Sequence, residues 1–158
     1  MTRLPALGRR GEGWVLAQGV ILIAIAIAGT VGPAWTGPPR IAGAGVGLAA
    51  LIIGGVLAVR GIVDLRDALT PFPHPRLGAP LVEHGAYRLV RHPIYGGLVL
   101  GSAGWGLVTA SPTALGLALV LFLFLDLKSR REEAWLVDHI RAYDTYRRRT
   151  RRFIPFLY

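Results

Sequence analysis

The chain has no cysteine. Disulfides, thiolate zinc sites and cysteine nucleophiles are excluded together. Charge is also scarce, at 17% of residues against about 25% in soluble domains. Acidic residues number nine against 18 basic ones, and all but one of the basic residues are Arg. Hydrophobic residues make up 53% of the chain, and its mean hydropathy is +0.47. Such a composition is too apolar for a disordered chain and argues against a soluble globular one. Any chemistry has to come from carboxylates, His, Tyr, Arg or a bound cofactor. The 158 residues suit one domain, so residues 1–158 read as a single membrane domain.

What is abundant is long apolar runs. The first, Trp14 to Trp35, carries no charge and has a Trp at each end, as an aromatic belt would. Its length as a helix is about 31 Å, close to the hydrocarbon core of a bilayer. Arg9 and Arg10 precede it, as in a signal peptide, but the run exceeds an h-region of about 7–15 residues. The second run, Ile41 to Val59 or beyond, follows the turn Thr36–Arg40, and the two read as an N-terminal hairpin over residues 1–63. Gly43 and Gly47, then Ala50 and Gly54, are four apart, a spacing that lets membrane helices approach closely. The third and fourth runs, Ile94–Ala110 and Thr113–Leu127, are broken by Ser111-Pro112. Five glycines in the third (Gly96, Gly97, Gly101, Gly104, Gly106) imply packing on the fourth helix or a ligand close to the backbone.

The basic residues sort by segment. Three precede the first run, one lies in the turn after it, five fall between Arg60 and Arg91, none follows the third run, and nine occupy the tail from Lys128. The positive-inside rule puts both termini and the middle loop in the cytoplasm. The expected fold is an all-α integral membrane protein of about four transmembrane helices, in the inner or plasma membrane, with a long cytoplasmic C-terminal helix extension.

The middle loop, residues 64–93, contains Pro71, Pro73, Pro75 and Pro80 and is therefore largely irregular. Its second half concentrates Glu83, His84, Tyr87, Arg88, Arg91, His92 and Tyr95. Snorkelling at headgroup depth accounts for Tyr87, Arg88 and Arg91. It accounts less well for His92-Pro93-Ile94-Tyr95 at the start of a glycine-rich helix. Beyond the fourth run, Trp135, Val137, Ile140, Tyr143 and Tyr146 share a helical stripe. On a surface helix Glu132 and Glu133 would be no more than members of i,i+4 ion pairs, as Lys128/Glu132 is, worth about 0.2–0.5 kcal/mol each. The cationic, aromatic tail suits an anionic lipid surface better than nucleic acid. His84 and His92 with Glu83 have no recognised metal-ligand spacing.

"GAYRLVRHPIY" (Gly85–Tyr95), a helical hairpin, "EEAWL" (Glu132–Leu136), Tyr143, Tyr146 and "RFIP" (Arg152–Pro155) together resemble the isoprenylcysteine carboxyl methyltransferase family. More broadly they resemble the membrane methyltransferases that include phospholipid methyltransferases. The resemblance covers residues 79–158, the loop's end and the C-terminal part (94–158). It implies an S-adenosylmethionine-dependent enzyme with a cytoplasmic-side cofactor pocket. By position, the cofactor would touch Leu81, Val82, Tyr87, His92, Pro93, Ile94, Tyr95 and a carboxylate at Glu132. One residue fewer before Tyr143 than the family pattern leaves Glu133 as the alternative carboxylate. Lys128 stands where the family has a substrate-positioning Arg, and Ala79-Pro80 where it often has His-Thr.

The residue types suit that chemistry on their own. Methyl transfer from a sulfonium depends on positioning more than on acid or base strength. A glutamate can hold the donor's ammonium, and Arg91, His92 or the N-terminus of the third helix its carboxylate. Tyr87 and Tyr95 can pack on the adenine or face the sulfonium. A lipophilic small-molecule acceptor and membrane lipids are the expected partners. The alternatives are a sterol-reductase-like membrane oxidoreductase and a non-enzymatic membrane scaffold. Oligomeric state and the acceptor's identity stay open.

Overall fold

The computed structural model describes residues 7–8, 11–70 and 81–154. Pro71, Pro73, Pro75, Ala79 and Pro80 of the middle loop, Arg3, Arg9 and Arg10 of the N-terminus, and Pro155 lie outside the described residues. The described chain is helical: α1 (Glu12–Val31), α2 (Pro38–Leu65), α3 (Pro93–Val108), α4 (Pro112–His139) and α5 (Tyr143–Arg149), with short 3-10 turns at Arg66–Ala68 and Gly85–Arg88. α2, α3 and α4 each begin with a proline, where its missing N–H leaves no helical bond unmade. α1, α2 and α4 are long and apolar enough to cross a membrane. α3 is apolar but only 16 residues long. Leu16, Val20, Ile23 and Ile27 on α1 and Val46, Ile52, Ile53 and Val56 on α2 are exposed, a surface that a bilayer covers.

The helices pair differently from their chain order. α1 packs chiefly on α4, and α2 on α3. The glycines of α3 thus meet α2 rather than mainly α4, correcting the expected partner. Gly47, Gly54 and Gly61, seven apart, are the buried residues of α2. A Cβ on Gly54 would lie 2.7 Å from both the Gly97 carbonyl and the Gly101 nitrogen, and one on Gly47 2.7 Å from the Gly104 carbonyl. Only hydrogen fits between two backbones that close. The turns at the far end are tied together. Trp35 N–H donates to the Ala110 carbonyl (3.0 Å), and the Ser111 hydroxyl donates to the Ala28 carbonyl (2.9 Å).

The fourth helix does leave its apolar stretch and run on, as far as His139. It does not continue through Tyr146. Ile140 is extended, and the chain turns before α5. That turn folds Tyr143 and Tyr146 inward, where each is 2% exposed. A straight helix would have carried them away from the bundle.

Candidate functional site

Gly85 opens the turn that carries Tyr87. Its φ of +59° suits glycine, and a side chain there would run into the Asp64 carboxylate. Asp64, at the end of α2, accepts the Ala86 N–H at 2.7 Å. From the other side, the Tyr146 hydroxyl donates to the Tyr87 carbonyl at 2.7 Å. Four residues on, the Arg91 N–H and then that of His92 donate to the Arg151 and Arg152 carbonyls at 2.8 and 3.0 Å. The Arg-His-Pro-Ile-Tyr segment is therefore held by α2, by α5 and by the chain beyond α5 before α3 begins.

The two adjacent glutamates of α4 do different things. Glu133, its side chain 4% exposed, gathers three side chains: Arg91 Nε at 2.9 Å, His92 Nε2 at 3.1 Å and Arg152 Nη2 at 3.2 Å. Arg152 also reaches Asp126 at 2.8 Å. Burial opposes the charge on Arg152, but its hydrogen bonds to Glu133 and Asp126 outweigh that and raise its pKa. Glu132, its side chain 19% exposed, faces a cavity and accepts from the Tyr95 hydroxyl at 3.1 Å. One turn up α4, the buried Lys128 Nζ donates to Gln18 Oε1 at 2.7 Å and stands 5.1 Å from the Tyr95 ring centre. The Tyr95 and His92 rings stack at 5.3 Å.

The cavity measures about 330 Å³, at the low end of small-molecule pockets, which begin near about 300 Å³. Lys128, Glu132 and Leu136 line it in steps of four, one face of α4 over roughly 12 Å of axis, and Ile140 joins them just past the helix end. Val15, Gln18, Ile62, Leu81, Val82, Tyr143 and Tyr146 also line it. Tyr87 and Tyr143 are both pushed above the ordinary phenol range, first by burial and then by the nearby glutamates. Both stay neutral at physiological pH.

Of the residues singled out in the sequence, the structure brings Leu81, Val82, Tyr87, Arg91, His92, Ile94, Tyr95, Lys128 and Glu132 to one cavity. Pro93 and Glu133 are not on its wall. Pro93 packs against Gly61 of α2, and Glu133 sits behind the wall in the ion network. Sequence reasoning missed Gln18 and Asp64, and gave Arg152, the first residue of the "RFIP" match, no role. Gln18 did leave a signal, since a polar side chain in a membrane run usually faces a site or a partner. Asp64 lies in a charged stretch where nothing marks it out.

Fold and cavity define a class: a helical membrane protein with a cavity of small-molecule size between its helices and the Tyr87 turn. Residues 43–142 match the model of the phospholipid methyltransferase family. The chain belongs to that family. It is 30% identical over 116 residues to a probable protein-S-isoprenylcysteine O-methyltransferase of Oryza sativa subsp. indica, covering 71% of this chain and 61% of the relative. It is 29% identical over 115 residues to protein-S-isoprenylcysteine O-methyltransferase B of Arabidopsis thaliana, covering 70% and 58%. A nickel-cobalt-cadmium resistance protein, NccN, of Alcaligenes xylosoxydans xylosoxydans is 34% identical over 110 residues, covering 69% and 52%. The matches thus span little more than half of these relatives.

Proposed function

We propose that the chain is an S-adenosylmethionine-dependent methyltransferase that acts on a lipophilic acceptor at the cytoplasmic membrane face. The observation that carries this reading is the convergence of Tyr87, His92, Tyr95, Lys128 and Glu132 on one cavity that reaches from the interface into the apolar bundle. The donor set suits that cofactor, which brings a cation, a carboxylate and several hydroxyls. When bound, it supplies a methyl group on a positively charged sulfur, which an acceptor atom takes by in-line displacement.

The chain's own residues then have distinct tasks. Glu132 binds the ammonium, while Arg91 and the N–H groups at the start of α3 face the carboxylate. The Tyr87 and Tyr95 rings offer negative π faces to the cation. Glu133 touches no ligand. It orients Arg91 and His92, and Arg152 fastens it in turn. Lys128, steadied by Gln18, offers the cavity a positive charge for an acceptor's anionic head. A carboxylate acceptor is already deprotonated at neutral pH, so the site requires no general base, in keeping with phenols held neutral.

The topology belongs to the same reading. α3 completes four spans, the termini and middle loop face the cytoplasm, and α4's charged end with α5 forms the cytoplasmic wall of the site. The acceptor is an isoprenoid acid, a prenylated cysteine or another membrane lipid. Membranes containing the chain, incubated with methyl-labelled S-adenosylmethionine, are expected to transfer label to the lipid extract or to protein. Label in neither fraction, above membranes lacking the chain, would remove the enzyme reading.

A further inference from the structure

Tyr143 and Tyr146 lie one turn apart on α5, equally buried, and both line the cavity. Their hydroxyls differ. That of Tyr146 is spent on the Tyr87 carbonyl at 2.7 Å. That of Tyr143 is buried and has no hydrogen-bond partner among the described residues. Leaving a buried hydroxyl unpaired costs about 1–3 kcal/mol, so with no ligand to bind, phenylalanine would be as stable there as tyrosine, or more so. The unpaired hydroxyl instead belongs to a side chain that lines the same cavity as Glu132.

Its place along the cavity indicates what pairs with it. Four-residue steps of α4 lead from Lys128 through Glu132 to Leu136, about 12 Å away, and the chain then turns at Ile140 to reach Tyr143. There Tyr143 stands within electrostatic reach of Glu132 and Arg91, the groups given to the methyl donor above. We infer that the Tyr143 hydroxyl is a binding group for the methyl donor, hydrogen-bonding a polar atom of its nucleoside or amino-acid part, while Tyr146 is a strut for the Tyr87 turn. This rests on the methyltransferase reading above. It adds a donor contact from α5, an element that the spacing of the glutamates does not reach.

The test pairs Tyr143→Phe with Tyr146→Phe in the detergent-purified full chain. Two quantities are read: the melting temperature without ligand, and S-adenosylmethionine affinity by calorimetry. Tyr143→Phe is expected to melt at or above the wild-type temperature and to bind the donor about tenfold more weakly, the size of one lost hydrogen bond. Tyr146→Phe is expected to melt lower, because the Tyr87 carbonyl loses its donor. Unchanged affinity in Tyr143→Phe, with wild type binding normally, overturns the inference and leaves the function standing. A lowered ligand-free melting temperature in Tyr143→Phe also overturns it, since the hydroxyl would then have a structural partner. Absence of binding by wild type sinks the methyltransferase reading and this assignment with it.

Discussion

At the scale of single residues, the adjacent glutamates are the sharpest case. Spacing along the sequence left both Glu132 and Glu133 as candidates for one role. The helix separates them by about 100°, so one faces the cavity and the other the ion network. Glu133→Ala would leave Arg91, His92 and Arg152 with an uncompensated buried cluster. A loss of about 3–5 kcal/mol is expected, measured as thermal unfolding in detergent. Glu132→Gln is expected to keep the fold and lose donor affinity. If both variants unfolded alike, the division of labour would be wrong. The tyrosines give a pH prediction. Tyr87, Tyr143 and Tyr146 are all raised by burial. A phenol raised above its unfolded value near pH 10 contributes stability that is complete below that pH. The contribution is lost as pH climbs toward the folded value. Melting temperatures should therefore hold up to about pH 10 and fall beyond it, with tyrosinate absorbance appearing together with unfolding. Tyrosinate from these three residues at an ordinary pH in a folded chain would contradict the burial described here.

At the scale of elements, the apolar runs and the prolines that open α2, α3 and α4 made the helices legible from the sequence, and the glycines marked a close helix contact. Their partner was not legible, because small residues license an approach without naming the neighbour. Placing α2 against α3 depends on matching Gly47, Gly54 and Gly61 to Gly104, Gly97 and Pro93, which is a property of two helices at once. Gly54→Ala is expected to cost about 1–3 kcal/mol by overpacking. Gly55→Ala, with open space around its would-be Cβ, is expected to be neutral or to gain up to about 1 kcal/mol of helix propensity. Equal effects at the two positions would refute the close contact. The break at Ile140 was invisible for another reason. No Gly or Pro stands between Val137 and Tyr146, and the apolar spacing continues across it. The turn follows from burying Tyr143 and Tyr146 against the Tyr87 turn, a tertiary gain that local pattern does not record.

At the scale of the whole molecule, the asymmetry of charge and the site's position are one fact. In the proposed topology, Arg91 and Lys128 both belong to the basic segments that set the orientation and line the cavity. The cysteine-free sequence makes the orientation directly testable. Thr36→Cys, in the turn before α2, and Thr113→Cys, at the start of α4, both at the end the proposed topology puts outside, and Arg88→Cys, in the Tyr87 turn, are all exposed in the structure. In intact cells an impermeant thiol reagent is expected to modify the first two and spare the third; the reverse pattern would invert the topology. The central claim is narrower: the cavity between Tyr95 and the charged end of α4 holds the methyl donor through Glu132. Equilibrium binding of S-adenosylmethionine to purified wild type and to Glu132→Gln, side by side, tests it most directly. Saturable binding by wild type, weakened at least tenfold in a Glu132→Gln variant that still melts cooperatively, is the predicted result. Equal affinity in the two folded proteins would contradict it.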